Sequence, residues 1–181
     1  MREWSEIDND TELKLKQCVI DFHTDRGRFL NAYAQTEYLV LDILTKIKPI
    51  IQYTALTNKF PSSTLSRIRT LKKVLSVDGP LKNYSSTFSK MMNLLEDNSE
   101  IRHYLAHGFS KITFSKKDYI GVELRRFNPK AVNPWKPDLL IYSFDDYQEA
   151  VLTISKIAAE VLKECRVIYD EMNLEVSGHV N

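Results

Sequence analysis

Apolar residues at helical spacing run through most of this chain, and that periodicity limits the fold more than any other feature. Between about Thr11 and Thr54, the residues Leu13, Phe22, Phe29, Leu30, Tyr33, Ala34, Leu41, Leu44 and Ile47 recur at intervals that gather them on one side of a helix. The segment reads as one long helix or two, with Gly27 and Pro49 as candidate breaks. Phe60-Pro61-Ser62-Ser63-Thr64 then carries an N-cap signature. Leu65, Ile68, Leu71 and Leu75 form a stripe opposite Arg69 and Lys73, a further amphipathic helix that ends near Asp78-Gly79-Pro80. The pattern continues through Leu81, Tyr84, Phe88, Met91 and Leu95. Asp97 and Glu100 have capping-box spacing for a restarted helix, which Gly108 stops.

Beyond Gly108 the period changes from about four to two. Ile112 and Phe114, then Ile120, Val122 and Leu124, alternate with polar residues around Ser115-Lys116-Lys117-Asp118, the pattern of a β-hairpin. A loop with Pro129, Pro134 and Pro137 follows, and Leu139 to Tyr142 is a candidate short strand. Ser143 and Asp146 have the spacing of a capping box opening a last helix, whose buried face is Val151, Ile154, Ala158, Val161, Cys165 and Ile168. The expected fold class is mainly all-α: a bundle of four or five helices, one domain over residues 1–181, with a small β-hairpin arm inserted at about 109–142 before the C-terminal helix.

Composition agrees with a packed chain, at 43% hydrophobic and 27% charged with only 5 Gly and 6 Pro, far from the ranges of disordered or fibrous sequences. No apolar run approaches the roughly 20 residues that span a bilayer. Met1-Arg2-Glu3-Trp4-Ser5-Glu6 has no apolar signal region, so a cytoplasmic protein is expected. Cys18 and Cys165 lack the spacing of a zinc or redox pair and read as small buried hydrophobes. The formal charge of +1 conceals an asymmetry. From Gly108 to Pro137 seven bases face two acids, a balance of +5, and from Asp138 to Asn181 nine acids face three bases, a balance of −6. A basic segment of this kind can bind a polyanion, and Lys116, Lys117, Arg125 and Arg126 are candidates to hold an RNA backbone through its phosphates. The competing reading is that these charges keep an edge strand in water.

Phosphate loops, nucleophile elbows and paired cysteines are absent from the sequence. What stands out is Ile101-Arg102-His103-Tyr104-Leu105-Ala106-His107-Gly108, in which four residues separate an arginine from a histidine and the residue after the arginine is polar. The segment resembles the HEPN superfamily, whose motif is arginine, four to six residues, then histidine, with Asn, Asp or His usual after the arginine. The resemblance covers roughly residues 15 to 107 and 145 to 172. It implies a helical bundle and a metal-independent ribonuclease site built across a homodimer, often in phage defence or toxin–antitoxin systems. An antitoxin or other defence protein is then a possible partner, and no cofactor is required.

The residue types suit that chemistry. RNA carries its own nucleophile, the 2′-hydroxyl, so cleavage needs proton transfer and stabilisation of phosphate charge. Histidine supplies the first near neutral pH and arginine the second. On an ideal helix, however, a step of five residues turns by about 140° and rises by about 7.5 Å, so Arg102 and His107 do not share a face. Either the helix is distorted near Gly108 or two chains contribute, and the family resemblance implies the second. His103 and His107 do share a face, and Glu100 joins them at helical spacing as a metal-binding alternative. Glu37 lies in the apolar stripe, where a carboxylate needs a partner. Arg102 or His103 reaching it to orient the site is one reading, and its emergence at the stripe's edge is the other. The expected function is a HEPN-type endoribonuclease. The alternatives are a catalytically silent helical module that binds nucleotide, RNA or a partner protein, and a metal-dependent hydrolase.

Overall fold

The apolar stripe at the start of the chain folds as one uninterrupted helix, α1 (Asn9–Lys46), in a computed structural model that describes residues 9–114 and 120–174. Gly27 does not break it, and Phe22, Phe29, Thr36 and Ile43 fall seven residues apart along its buried face. Thr36 tolerates full burial because its Oγ1 donates to the Ala32 carbonyl at 2.9 Å. Four further helices are described: α2 (Thr64–Ser76), α3 (Ser85–Asp97), α4 (Ser99–His107) and α5 (Phe144–Glu171), with a 3₁₀ turn at Lys82–Tyr84. Ser63 caps α2 in a reciprocal box with Ser66. At α5 the Ser143 hydroxyl accepts from the Asp146 backbone N–H at 3.0 Å and donates to its carboxylate at 2.6 Å. Asp97 closes α3 rather than capping α4, which begins at Ser99.

The arm is not a hairpin. Its strands β1 (Phe109–Phe114), β2 (Ile120–Arg126) and β3 (Asp138–Ser143) form a three-stranded antiparallel sheet in the order β1-β2-β3. This corrects the expected all-α bundle with a two-stranded arm. The candidate strand at Leu139–Tyr142 is present as β3, but its partner lies across a loop of eleven residues that carries three prolines, and local pattern does not record a pairing at that distance.

The described chain forms two compact units. One comprises Met1–Leu30 with Ile101–Leu152, and the other Asn31–Glu100 with Thr153–Asn181. In the first, Phe22, Phe29, Tyr104, Leu105, Val122, Leu124 and Tyr147 are buried, and the Phe22 and Tyr147 rings lie 5.2 Å apart between centroids. In the second, Lys72 of α2 donates to Glu96 of α3 at 2.7 Å. There the Tyr53 hydroxyl accepts from the Leu81 backbone N–H at 2.8 Å beneath Gly79, where a methyl group would stand 2.6 Å from that oxygen. Among the described residues no helix is long and apolar enough to cross a membrane.

Candidate functional site

All of the motif residues from Arg102 to Gly108 belong to the first unit, on α4 and the turn that leads into β1. The helix runs regularly to its end: the Gly108 N–H donates to the Tyr104 carbonyl at 2.7 Å, the ordinary α-helical step. Gly108 is not in the left-handed conformation of a helix-ending glycine. It is needed for space. A Cβ there would lie 2.6 Å from the carbonyl oxygens of both Tyr104 and Arg125, so the residue lets the backbone of β2 pass directly against the end of α4. A second anchor comes from α1, where Arg26 Nε donates at 2.8 Å to the Leu105 carbonyl, one of the last-turn acceptors that the helix itself leaves without a partner. Nothing in the sequence pairs Arg26 with a residue 79 positions away.

His103 and His107 are exposed and face each other edge to face, with ring centroids 5.6 Å apart. Arg102 is half-buried beside them in sequence. Arg126, at the last position of β2, completes the group: its guanidinium stacks over the ring of buried Tyr104, 5.1 Å from the centroid. Its Nε is buried with no hydrogen-bond partner among the described residues, a position in which an acceptor from a ligand would be favourable. The His103 imidazole is held below the ordinary histidine range. Exclusion of water by the surrounding protein is the largest cause, followed by the positive charges of Arg126, Arg102 and His107.

The arrangement is thus a cationic cluster containing an imidazole that stays neutral near pH 7, suited to an anion whose reaction begins with proton removal. Changing Arg126 should reveal the coupling. In Arg126→Gln the His103 titration midpoint, followed by the NMR shift of its ring C–H, is expected to rise toward 6.5; an unmoved midpoint would place Arg126 outside the electrostatic field of the site. The sign for stability follows. The folded protein takes up the His103 proton less readily than the unfolded chain does, so this contribution is present above a pH of about 6.5 and is lost as pH falls through the folded value.

The other residues singled out in the sequence are distributed differently. Arg125 and Arg126, adjacent in sequence, lie on opposite faces of the sheet: Arg126 turns toward Tyr104, whereas Arg125 is exposed and pairs with Glu123. Lys116 and Lys117 lie outside the described residues. Glu37 belongs to the second unit, half-buried, and accepts a hydrogen bond from the Thr64 hydroxyl at the start of α2. Its carboxylate therefore has a partner in the Thr64 hydroxyl. No group of three His, Cys, Asp or Glu side chains able to hold a metal ion occurs among the described residues, so Glu100, His103 and His107 do not form such a set. Cys165 is buried, with its thiol pushed up to about 12 first by burial and then by Asp42 and Glu164, but Cys18 is only half-buried.

A cavity of about 410 Å³ in the second unit is lined by residues that include Tyr38, Asp42, Cys165, Arg166 and Tyr169. The Tyr169 hydroxyl donates to Asp42 and the Lys46 ammonium sits over the Tyr169 ring, so these polar groups already satisfy one another. The chemistry-bearing cluster belongs to the first unit, on α4 and at the last residue of β2. Comparison with family models, with curated proteins and with solved structures gave no match.

Proposed function

We propose that this chain is a metal-independent endoribonuclease of HEPN type that acts as a homodimer on RNA in the cytoplasm, in a phage-defence or toxin–antitoxin setting with an antitoxin or defence protein as a further partner. The observation that carries the reading is the pairing of His103, held low first by partial burial and then by neighbouring positive charge, with His107, 5.6 Å away, beside Arg126. His103 accepts the proton of the RNA 2′-hydroxyl. The 2′-oxygen forms its bond to phosphorus while the bond from phosphorus to the 5′-oxygen breaks, and His107 delivers a proton to that leaving oxygen. The products are a 2′,3′-cyclic phosphate and a 5′-hydroxyl, with no other reactant consumed. Arginine neutralises the charge that gathers on the phosphate oxygens.

The regular helical hydrogen bond at Gly108 supports a two-chain site. With α4 undistorted, Arg102 and His107 of one chain remain about 140° apart around the helix axis. A second copy can bring its own Arg102 to the histidine pair, as an isologous interface would.

Cleavage of a single-stranded RNA in excess EDTA tests the reading. Activity should persist, and the fragments should carry cyclic phosphate ends that acid opens to 2′- and 3′-monophosphates. Complete loss in EDTA with rescue by a divalent ion, or fragments with 5′-phosphate ends, would exclude this mechanism.

A further inference from the structure

The face of the sheet opposite Arg126 is largely open to solvent, and its composition is unusual for a surface. The antiparallel register places Phe109, Arg125 and Leu139 in one row and Lys111, Glu123 and Ile141 in the next. Phe109 is 66% exposed, and Leu139 and Ile141 are also open to solvent. The row of Phe109 adjoins the loop 127–137, which leaves β2 after Arg126 and returns at Asp138, the residue paired with it. That loop, Phe127-Asn128-Pro129-Lys130-Ala131-Val132-Asn133-Pro134-Trp135-Lys136-Pro137, holds two exposed aromatics, two lysines, three prolines and no acid. Trp135 is 89% exposed.

The loop is ordered by its own bonds. Asn128 Oδ1 accepts from the Lys130 N–H and Asn133 Oδ1 from the Trp135 N–H, both at 3.1 Å, within two successive turns closed by Ala131 and Lys136. With the prolines, these turns hold the exposed side chains at low entropic penalty. Face and loop together carry Lys111, Arg125, Lys130 and Lys136 against Glu123, a balance of +3.

We infer that this surface binds single-stranded RNA, with bases stacking on Phe109, Phe127 and Trp135 and phosphates meeting Lys111, Lys130 and Lys136. Charge complementarity selects the occupant: exposed aromatic rings separated by lysines, with one acid already paired to Arg125, fit a polyanion whose subunits each present a flat face. The inference extends the ribonuclease reading by naming the strandedness of its substrate. Phe109 stands two residues after His107, so the surface begins on the strand that continues directly from the motif helix.

The probe is a labelled 2′-O-methyl oligouridylate of about twelve nucleotides, long enough for the surface and lacking the free nucleophile. It should bind the full-length protein with quenching of tryptophan fluorescence. Trp135→Ala and Phe109→Ala should each weaken Kd roughly fivefold to hundredfold, with Trp135→Phe recovering most of the affinity. Neutralising Lys111, Lys130 and Lys136 together should flatten the salt dependence by about two in log–log slope. Equal affinity for the same sequence in a duplex, or aromatic variants that bind like the unchanged protein, would overturn the inference. So would aromatic variants that turn monomeric and bind RNA as before, since the surface would then be a contact between copies of the chain. Tight, aromatic-dependent binding without cleavage of natural RNA would end the ribonuclease reading and leave this surface standing.

Discussion

Replacing Arg102 or His107 by alanine is expected to lower RNA cleavage by at least about 100-fold, with helix content, melting temperature and dimer formation close to those of the unchanged protein. His107, the last residue of α4, is exposed, and Arg102, in its middle, is half-buried, so truncation opens no large cavity. What is lost is a proton donor in one case and a charge on the phosphate in the other. The two variants also report on chain sharing. If Arg102 of one copy works with the histidines of the other, a purified mixed dimer of Arg102→Ala and His107→Ala contains one intact site and recovers up to half of the activity. Mixed dimers with no recovery would mean that each site uses both residues from the same chain, which the undistorted end of α4 disfavours, or that one cleft needs all four groups together. Either single variant retaining full activity would remove the ribonuclease reading.

The second large effect concerns space at the end of the same helix. Gly108→Ala should destabilise the protein by roughly 1–3 kcal/mol, because the new methyl group meets backbone carbonyls on two sides that no side-chain rotation relieves. For a chain of this size that is a fall of about 2–4 °C in Tm per kcal/mol. Gly27→Ala provides the contrast. Nothing lies within 4 Å of a Cβ at Gly27, which is in the interior of α1, so alanine there should stabilise by about 0.5–1 kcal/mol. Thermal melts of the two variants that shift in the same direction would refute this assignment of the two glycines. Cleavage should also fall in Gly108→Ala and remain in Gly27→Ala, since only the first displaces the motif helix from β2.

The parts of this fold that were legible in the sequence are those set by short-range chemistry. Ser63 and Ser143 announce their helices because a hydroxyl one turn ahead of an orphan N–H is a local device. The alternation of Val122 and Leu124 marks a strand for the same reason, as both are buried on one face. What was not legible depends on partners far along the chain. The pairing of β3 with β2 spans a proline-rich loop, and the bond from Arg26 to Leu105 joins α1 to α4. Glu37 shows the limit in another form: its place in the stripe implies that its carboxylate needs a partner, but pattern alone does not point to the Thr64 hydroxyl that donates to it. Within the candidate site, the arginine and two histidines of α4 were visible as a motif. The proximity of Arg126 to His103 required the register of β2 against the end of α4.

Two identical side chains, Arg125 and Arg126, stand next to each other on a strand and face opposite ways. Their difference is therefore one of phase and not of chemistry. An insertion of a single residue ahead of them in β2 places the first arginine over Tyr104 and carries the second out of the strand, and a deletion there moves the second to the outer face and the first into the buried position of Leu124, while the composition of the segment hardly changes. Tolerance to substitution at the two positions should consequently be uncorrelated in a saturation library. The most damaging lesions in the strand will be frame-preserving indels of one codon, which keep every charge in the sequence and move each to the wrong side.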